Sequence, residues 1–142
     1  MINWKNIILH HSATVDSRTF SWDAIRRYHL MKNWIDIGYH FGVELVDDEI
    51  ECIVGRPLTI QGAHTIGKNH DSIGICIVGN YDKIEPSPKI YETLVYRLII
   101  PLTQIFDIPR HHIYKHSYFA KKTCPGTKFD MCKIYQLMDI GK

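Results

Sequence analysis

Histidine and cysteine are the residues that best equip this chain for metal chemistry. Nine histidines occur among its 142 residues, and histidine is both the commonest metal ligand and a group that exchanges protons near neutral pH. The candidate ligands form three groups far apart in the chain: His10 with His11, His111 and His112 with His116, and Cys124 ahead of Pro125 and Gly126. A catalytic zinc takes three protein ligands and keeps a fourth position for water. Two histidines and one cysteine would satisfy that requirement.

Each of these residues also has a simpler structural explanation. A single histidine near a strand end is more often a hydrogen-bonded structural residue than a ligand, and a single cysteine is usually a small buried hydrophobic group. Strand parity does not choose between His10, which shares a face with Ile8, and His11, which shares one with Leu9. Spacing alone therefore leaves the first ligand open.

Apolar periodicity predicts the elements that must position these side chains. Strands are predicted over residues 6–11, 39–46, 49–54, 72–78 and 113–116, and helices over residues 21–32, 89–106 and 130–138. Ser21 can cap the first helix, and Asp47-Asp48 suits a two-residue hairpin turn. Pro101 should kink the second helix. This order of elements indicates an α/β fold with a central mixed β-sheet flanked by about three helices.

The composition excludes several classes of protein. Hydrophobic residues make up 45% and charged residues 23% of the chain, which is typical of one globular domain over residues 1–142. The formal net charge of +2 is too small for a general nucleic-acid binder. No apolar run is long enough to insert into a membrane, and no secretory signal precedes the first strand. We therefore expect synthesis in a cytoplasm, reduced cysteines, and neither nucleic acid nor membrane as a partner.

Four blocks of sequence follow one another in a characteristic order. They are ILHHSAT at residues 8–14, WIDIGYHF at 34–41, GAHT at 62–65 followed by Asn69 and SIGI at 72–75, and CPG at 124–126. Together they resemble the zinc-dependent N-acetylmuramoyl-L-alanine amidases, a family that includes phage endolysins and peptidoglycan recognition proteins. The resemblance spans residues 5 to 130, and four ordered blocks are more specific than any one of them.

The resemblance implies a role for particular residues. His10, His116 and Cys124 would be the three zinc ligands, and Tyr39 and Lys122 would act in catalysis. The implied reaction is hydrolysis of the amide between the lactyl group of N-acetylmuramic acid and L-alanine in bacterial peptidoglycan. Tyr39 and Lys122 would donate hydrogen bonds to the oxyanion that forms in this reaction.

The general base stays open at this point. Tyrosine and lysine have ordinary pKa values of about 10, so either would need a zinc ion or its surroundings to lower its pKa. Glu44 is a tempting carboxylate, but an extended strand would turn it away from Tyr39, because the two positions differ by an odd number. We therefore discount Glu44.

The resemblance also points to residues that contact substrate. His29, His64 and Asn69 match positions that line the peptidoglycan groove of the family. The sequence leaves two alternatives open, since His64 could equally cap a loop and His29 could be a structural, partly buried histidine. The other five histidines are assigned to structure or solvent, Cys52 and Cys76 to the core, and Cys132 to the closing helix.

The segment from residue 110 to 122 is locally basic. A solvated face is its simplest explanation, and attraction to the carboxylates of peptidoglycan stem peptides is the functional one. A nucleic-acid site is less favoured because the aromatic residues there are confined to Tyr114, Tyr118 and Phe119.

Cys124 decides between two classes of function that the resemblance allows. Non-catalytic recognition proteins usually replace this cysteine, and cytoplasmic recycling amidases use an aspartate in its place. We therefore expect a monomeric phage or prophage endolysin that is made in the host cytoplasm and acts on a Gram-negative type of wall after release. The alternative is a peptidoglycan-binding or regulatory module with a structural zinc. Some phage amidases also bind the phage RNA polymerase, and no feature of this sequence tests that interaction.

Overall fold

The computed structural model describes residues 1–14 and 21–140. Its centre is a five-stranded mixed sheet with the strand order β3-β2-β4-β1-β5. The strands are β1 (Asn6–His11), β2 (Phe41–Val46), β3 (Glu49–Val54), β4 (Ser72–Ile77) and β5 (Ile113–Lys115). β2 and β3 form an antiparallel hairpin, whereas β1 is parallel to both β4 and β5. All five predicted strands are thus confirmed.

The hairpin turn and the two central strands follow from local sequence. Asp47 and Asp48 both have positive φ, 47° and 68°, as a two-residue turn that matches the twist of its strands requires. β1 and β4 are buried along their whole length, which explains their nearly continuous apolar sequences.

Three helices flank the sheet, as expected. α1 (Trp22–Met31) begins after Ser21, whose side chain accepts a hydrogen bond from the backbone N–H of Ala24. The second helix runs without a break through α2 (Pro88–Thr93), a π-helical segment (Leu94–Ile99) and α3 (Ile100–Phe106). The closing helix is α4 (Met131–Ile140).

Pro101 does not interrupt the second helix. A proline has no N–H to donate to the preceding turn. The helix is π-helical directly before Pro101, and this local change of hydrogen-bonding pattern accommodates the missing donor. The helix therefore continues across Pro101 and packs its apolar side on the sheet through Leu94, Val95 and Leu98, all buried.

The two faces of the sheet have different surroundings. Ile7, Leu9 and Ile75 belong to the main core, together with the buried residues of the long helix. The opposite face carries a smaller cluster in which Trp22 of α1 packs with Ile37, Cys76 and Val78. β1 pairs His10 with Cys76, so His10 lies on this second face. No helix of the described residues has the length and hydrophobicity needed to cross a membrane.

The predicted start of β2 needs a correction that also affects Glu44. Regular strand begins at Phe41 rather than at Tyr39. The carbonyl oxygens of His40 and Tyr39 accept hydrogen bonds from the backbone N–H groups of Gly55 and Arg56, respectively, but these two residues do not continue the ladder. Tyr39 packs against the small cluster around Trp22, and Glu44 accepts a hydrogen bond from the backbone N–H of Trp22. The expectation that the two side chains face apart was therefore wrong.

Candidate metal centre

Three side chains from distant parts of the chain converge at one end of the sheet. His10 lies at the end of β1, and His116 begins the short 3-10 helix (His116–Tyr118) that follows β5. Because β1 and β5 are parallel neighbours, their carboxyl ends meet at the same edge. Cys124 approaches from the following loop, just before a cis peptide bond to Pro125. One ligand atom of each residue lies within 4.8 Å of the others, and residues 1–14 and 21–140 contain no other group of this kind.

The geometry of this group suits a metal ion. Nδ1 of His116 is buried and has no hydrogen-bond partner in the described structure, although buried polar atoms are almost always satisfied. Sγ of Cys124 lies 3.8 Å from Nδ1 of His10. A tetrahedral zinc with bonds of about 2.3 Å to sulfur and about 2.0 Å to nitrogen would separate these atoms by about 3.6 Å. His10, His116 and Cys124 therefore form a group that could hold a metal ion.

The sheet also decides between the two adjacent histidines of β1. His10 faces the small cluster and the metal group, whereas His11 points to the other side. Nδ1 of His11 accepts a hydrogen bond from the backbone N–H of Tyr81 at 3.1 Å, and its own backbone N–H donates to Sγ of Cys124 at 3.3 Å. His11 is therefore a structural residue that helps to position the cysteine.

Burial sets the protonation states of the three ligands. It lowers the pKa of His10 well below its ordinary value, with further contributions from His64 and His116. Burial also lowers the pKa of His116, and the nearby Lys122 lowers it further. Burial raises the pKa of the Cys124 thiol to about 11. Both imidazoles are thus neutral at pH 7 and ready to bind a cation, whereas the thiol must lose a proton to do so.

A chain of hydrogen bonds orients the His10 ring. Nε2 of His64 lies 3.0 Å from the carbonyl oxygen of Ser72, which can only accept, so this nitrogen carries the proton. Burial lowers the pKa of His64 to about 3, so the ring is neutral and its Nδ1 is an acceptor. Nε2 of His10 lies 3.0 Å from this acceptor and 3.4 Å from Thr65 Oγ1, so it carries the proton and donates to this pair. This leaves the lone pair of His10 Nδ1 directed at the metal group, an arrangement typical of metal-binding histidines.

Glycine at position 74 makes this arrangement possible. Gly74 lies in β4 below the His64 ring, and a Cβ atom there would come within 2.4 Å of His64 Cδ2. Real Cβ atoms essentially never show such a short contact. The SIGI block is therefore explained in part by the space that His64 needs.

Tyr39 and Lys122 both border the metal group. The Tyr39 ring centroid lies 5.1 Å from that of His10. Burial, together with Cys76 and Cys124, raises the pKa of Tyr39 well above its ordinary value, and its hydroxyl hydrogen-bonds with Cys76. Without a metal ion, Tyr39 therefore keeps its proton at neutral pH. Lys122 lines the cavity at the metal group.

A loop that the sequence blocks did not include holds Cys124 in place. Asp82 accepts hydrogen bonds from Thr123 Oγ1 and from the backbone N–H of Thr127, both at 2.9 Å. The backbone N–H of Lys128 donates to the carbonyl oxygen of Tyr81 at 2.8 Å. Asp82 also lines the cavity. In the sequence, an aspartate shortly after Gly79-Asn80 is typical of an ordinary turn, so no sequence signal indicated that Asp82 supports the cysteine loop.

Two adjoining cavities form a groove over the metal group. The first has a volume of about 390 Å³ and the second about 380 Å³, and both are lined by Trp34, His64, His116 and Lys122. Lys32 lines the second cavity, and among the described residues Asp82 is the only acidic residue that lines either of them. Glu44 lines neither cavity. The groove suits an anionic ligand.

The three residues predicted to contact substrate all border the groove. His29 lines the first cavity, and its Nδ1 accepts a hydrogen bond from the backbone N–H of Gly38 at 3.0 Å. Asn69 lines the second, and its Oδ1 accepts from the backbone N–H groups of His64 and Thr65. Each of these side chains thus has a structural function as well as a position from which substrate can be reached.

Comparison with known proteins agrees with this geometry. Residues 2–127 match the N-acetylmuramoyl-L-alanine amidase family. The chain belongs to this family. The endolysin of Escherichia phage T7 is 41% identical to this amidase over 135 residues, which cover 92% of this chain and 84% of that endolysin.

Solved structures extend the agreement to the fold. The endolysin amidase LysCS of Clostridium intestinale superposes with a TM-score of 0.83 at 28% identity, over 97% of this chain and 85% of LysCS. Bumblebee peptidoglycan recognition protein SA gives a TM-score of 0.77 at 29% identity, over 93% of this chain and 81% of that protein. The predicted family and fold class of the amidase are confirmed.

Proposed function

We propose that this amidase is a zinc-dependent phage or prophage endolysin that hydrolyses the amide between N-acetylmuramic acid and L-alanine during host lysis. The observation that carries the proposal is the buried two-histidine, one-cysteine group at the floor of a groove. These ligand types and their number match a catalytic zinc site with one open position. Similarity to the phage T7 endolysin along 92% of the chain supports the lytic role.

His10, His116 and Cys124 would hold the zinc. Zinc bound there supplies Lewis acidity and an activated water at neutral pH. His64 keeps the His10 ring in the tautomer that presents Nδ1. Asp82 and the backbone of His11 hold the cysteine loop against β1.

Tyr39 and Lys122 would stabilise the negative charge that develops on the amide oxygen. Tyr39 keeps its hydroxyl proton at neutral pH and can donate it in a hydrogen bond, and Lys122 adds a positive charge at the mouth of the same cavity.

The groove would bind a stem peptide beside the scissile bond. Lys32 and Lys122 line it and would attract the peptide carboxylates. Trp34 and Phe119 supply apolar walls. His29, His64 and Asn69 would contact the peptide or the muramic acid from their positions along the groove.

The deciding experiment measures two kinds of new chain end. Purified, zinc-loaded protein is incubated with peptidoglycan, and new amino groups and new reducing sugar ends are quantified separately. Amidase chemistry raises the amino groups only. A rise in reducing ends would indicate a glycosidase instead. Binding to peptidoglycan without either product would indicate a recognition module, as the similarity to peptidoglycan recognition proteins allows.

A further inference from the structure

Four aromatic rings form a continuous surface beside the groove. We call them the aromatic ladder; its members are His112, Tyr114, Tyr118 and Phe119. The ring centroids of His112 and Tyr114 are 6.1 Å apart with nearly parallel planes. Tyr114 lies 5.1 Å from Tyr118 and 5.0 Å from Phe119. Tyr118 is 73% exposed, and together with its neighbours it forms an exposed aromatic patch of the kind that often marks an interaction site.

The aromatic ladder is continuous with the groove. Phe119 lines the second cavity of the groove. Tyr114 pairs with Ile8 across β1 and β5, so it lies on the same face of the sheet as His10. Beyond Tyr114 and Tyr118 the surface falls into a further depression of about 490 Å³, which Lys115, Met131 and Tyr135 also line. A polymer in the groove can therefore extend across the ladder.

The chain segment that carries the ladder is basic. Between Asp107 and Asp130 the chain carries five lysine or arginine residues and no aspartate or glutamate. Nζ of Lys68 lies 5.2 Å from the centre of the Phe119 ring. Arg110 is paired with Asp139, but among the described residues Lys115 forms no ion pair. The ladder thus combines apolar rings with a positive field.

We propose that the aromatic ladder binds the glycan strand of polymeric peptidoglycan outside the groove. This inference rests on the proposed function. The C–H faces of sugar rings would pack on the exposed aromatic side chains, tyrosine hydroxyls would hydrogen-bond with sugar hydroxyls, and Lys68 and Lys115 would face the carboxylates of neighbouring stem peptides.

Single-stranded nucleic acid is the other polymer that aromatic and basic side chains bind, and the ladder suits it less. Nucleobases stack on flat, open ring faces. Here Tyr118 and Phe119 pack against each other at 79°, and Tyr114 and Phe119 at 68°, so the four rings do not form one series of parallel faces on which successive bases could stack. Continuity with a groove over a metal group also favours the polymer that the groove cleaves.

The test compares a polymeric with a monomeric substrate. In Tyr118→Ser, we expect kcat/KM on intact sacculi to fall about three- to tenfold through KM, because one aromatic contact is lost. On a soluble, monomeric muramoyl peptide, kcat/KM should stay within twofold. Tyr96→Ser is the matched control, because Tyr96 is 41% exposed on the π-helical segment and lines no cavity of the groove or ladder. It should change neither value.

A binding measurement separates this inference from the proposed function. Both substitutions are also made in the Lys122→Met background, in which slow turnover lets binding to sacculi be measured by co-sedimentation. Weaker sedimentation of the Tyr118→Ser form supports the ladder even if the parent protein hydrolyses neither substrate, an outcome that would refute the amidase proposal alone. Equal losses on both substrates, or no loss on either, would overturn the ladder. The ladder proposal would also be overturned if a single-stranded DNA oligonucleotide bound more tightly than soluble glycan fragments and this binding depended on Tyr118.

Discussion

The hydrogen bond from His10 to His64 predicts how metal affinity depends on a residue that is not itself a ligand. In His64→Ala, Nε2 of His10 loses the acceptor that lies 3.0 Å away, and the ring is free to turn its Nδ1 from the metal group. Removing such a partner typically weakens metal binding by about 10- to 100-fold. Because His64 lines the groove, water can enter the space that alanine leaves and accept the hydrogen bond. We therefore expect a loss of about tenfold.

Phenylalanine at the same position should have a larger effect. It fills the space of the imidazole and excludes water but offers no acceptor, so His64→Phe should weaken binding by about 100-fold, equivalent to about 2.7 kcal/mol. The assay is competition for zinc with a chromophoric chelator of known affinity.

His40→Ala is the matched control for this experiment. His40 is another buried histidine beside His64, but its ring bonds to the backbone of Ile60 and Gly74 and to no ligand. It should lower the free energy of unfolding and leave zinc affinity within about threefold. The reasoning is refuted if His64→Phe binds zinc as tightly as the parent protein, or if the alanine variant is the weaker of the two.

Three further predictions concern charge, pH and packing. Lys122→Met should lower kcat about 100-fold because it removes a charge that stabilises the oxyanion. Turnover measures this loss, and metal content should show that zinc is retained. The control is Lys128→Met, which removes an exposed charge outside the groove and should keep full activity. Zinc binding at pH 7 to 9 should release between one and two protons per ion and tighten at least tenfold per pH unit, because the Cys124 thiol, with its pKa of about 11, is protonated beforehand and a zinc-bound water ionises near neutral pH. Calorimetry in buffers of different ionisation enthalpy measures this release, and less than one proton per ion would contradict it. Gly74→Ala should destabilise the fold by about 1–3 kcal/mol in thermal unfolding, because its Cβ would overlap His64; an unchanged melting temperature would contradict the packing argument.

Much of the fold could be predicted because local signals agreed with it. Ser21 caps α1, Asp47 and Asp48 form the hairpin turn, and the apolar run of β1 is a central strand, all as expected. Each of these features depends on residues that are close together in sequence, where propensity and periodicity carry the information. The π-helical segment before Pro101 was not predicted, because it arises from how the whole helix packs on the sheet.

The metal group shows where sequence reasoning ends. Parity could not choose between His10 and His11, since the choice depends on which face of the sheet α1 covers. Tyr39 was assigned to a regular strand, but the ladder begins at Phe41, two residues later than periodicity suggests. The hydrogen bond from His10 to His64 joins residues 54 positions apart, and the support of Cys124 by Asp82 joins separate loops. Contacts of this kind are set by tertiary structure and leave no local pattern.

The metal group also has a consequence for when the enzyme becomes competent. Cys124 contacts His11 across 113 positions of sequence, so the first strand and one of the last loops must both be in place before a cation finds three donors. A partly synthesised chain that still lacks this loop offers at most two of them. A bound metal ion would therefore report that the chain has been made and folded at least from β1 to the loop that carries Cys124, and a fragment that ends before this loop has no complete metal group.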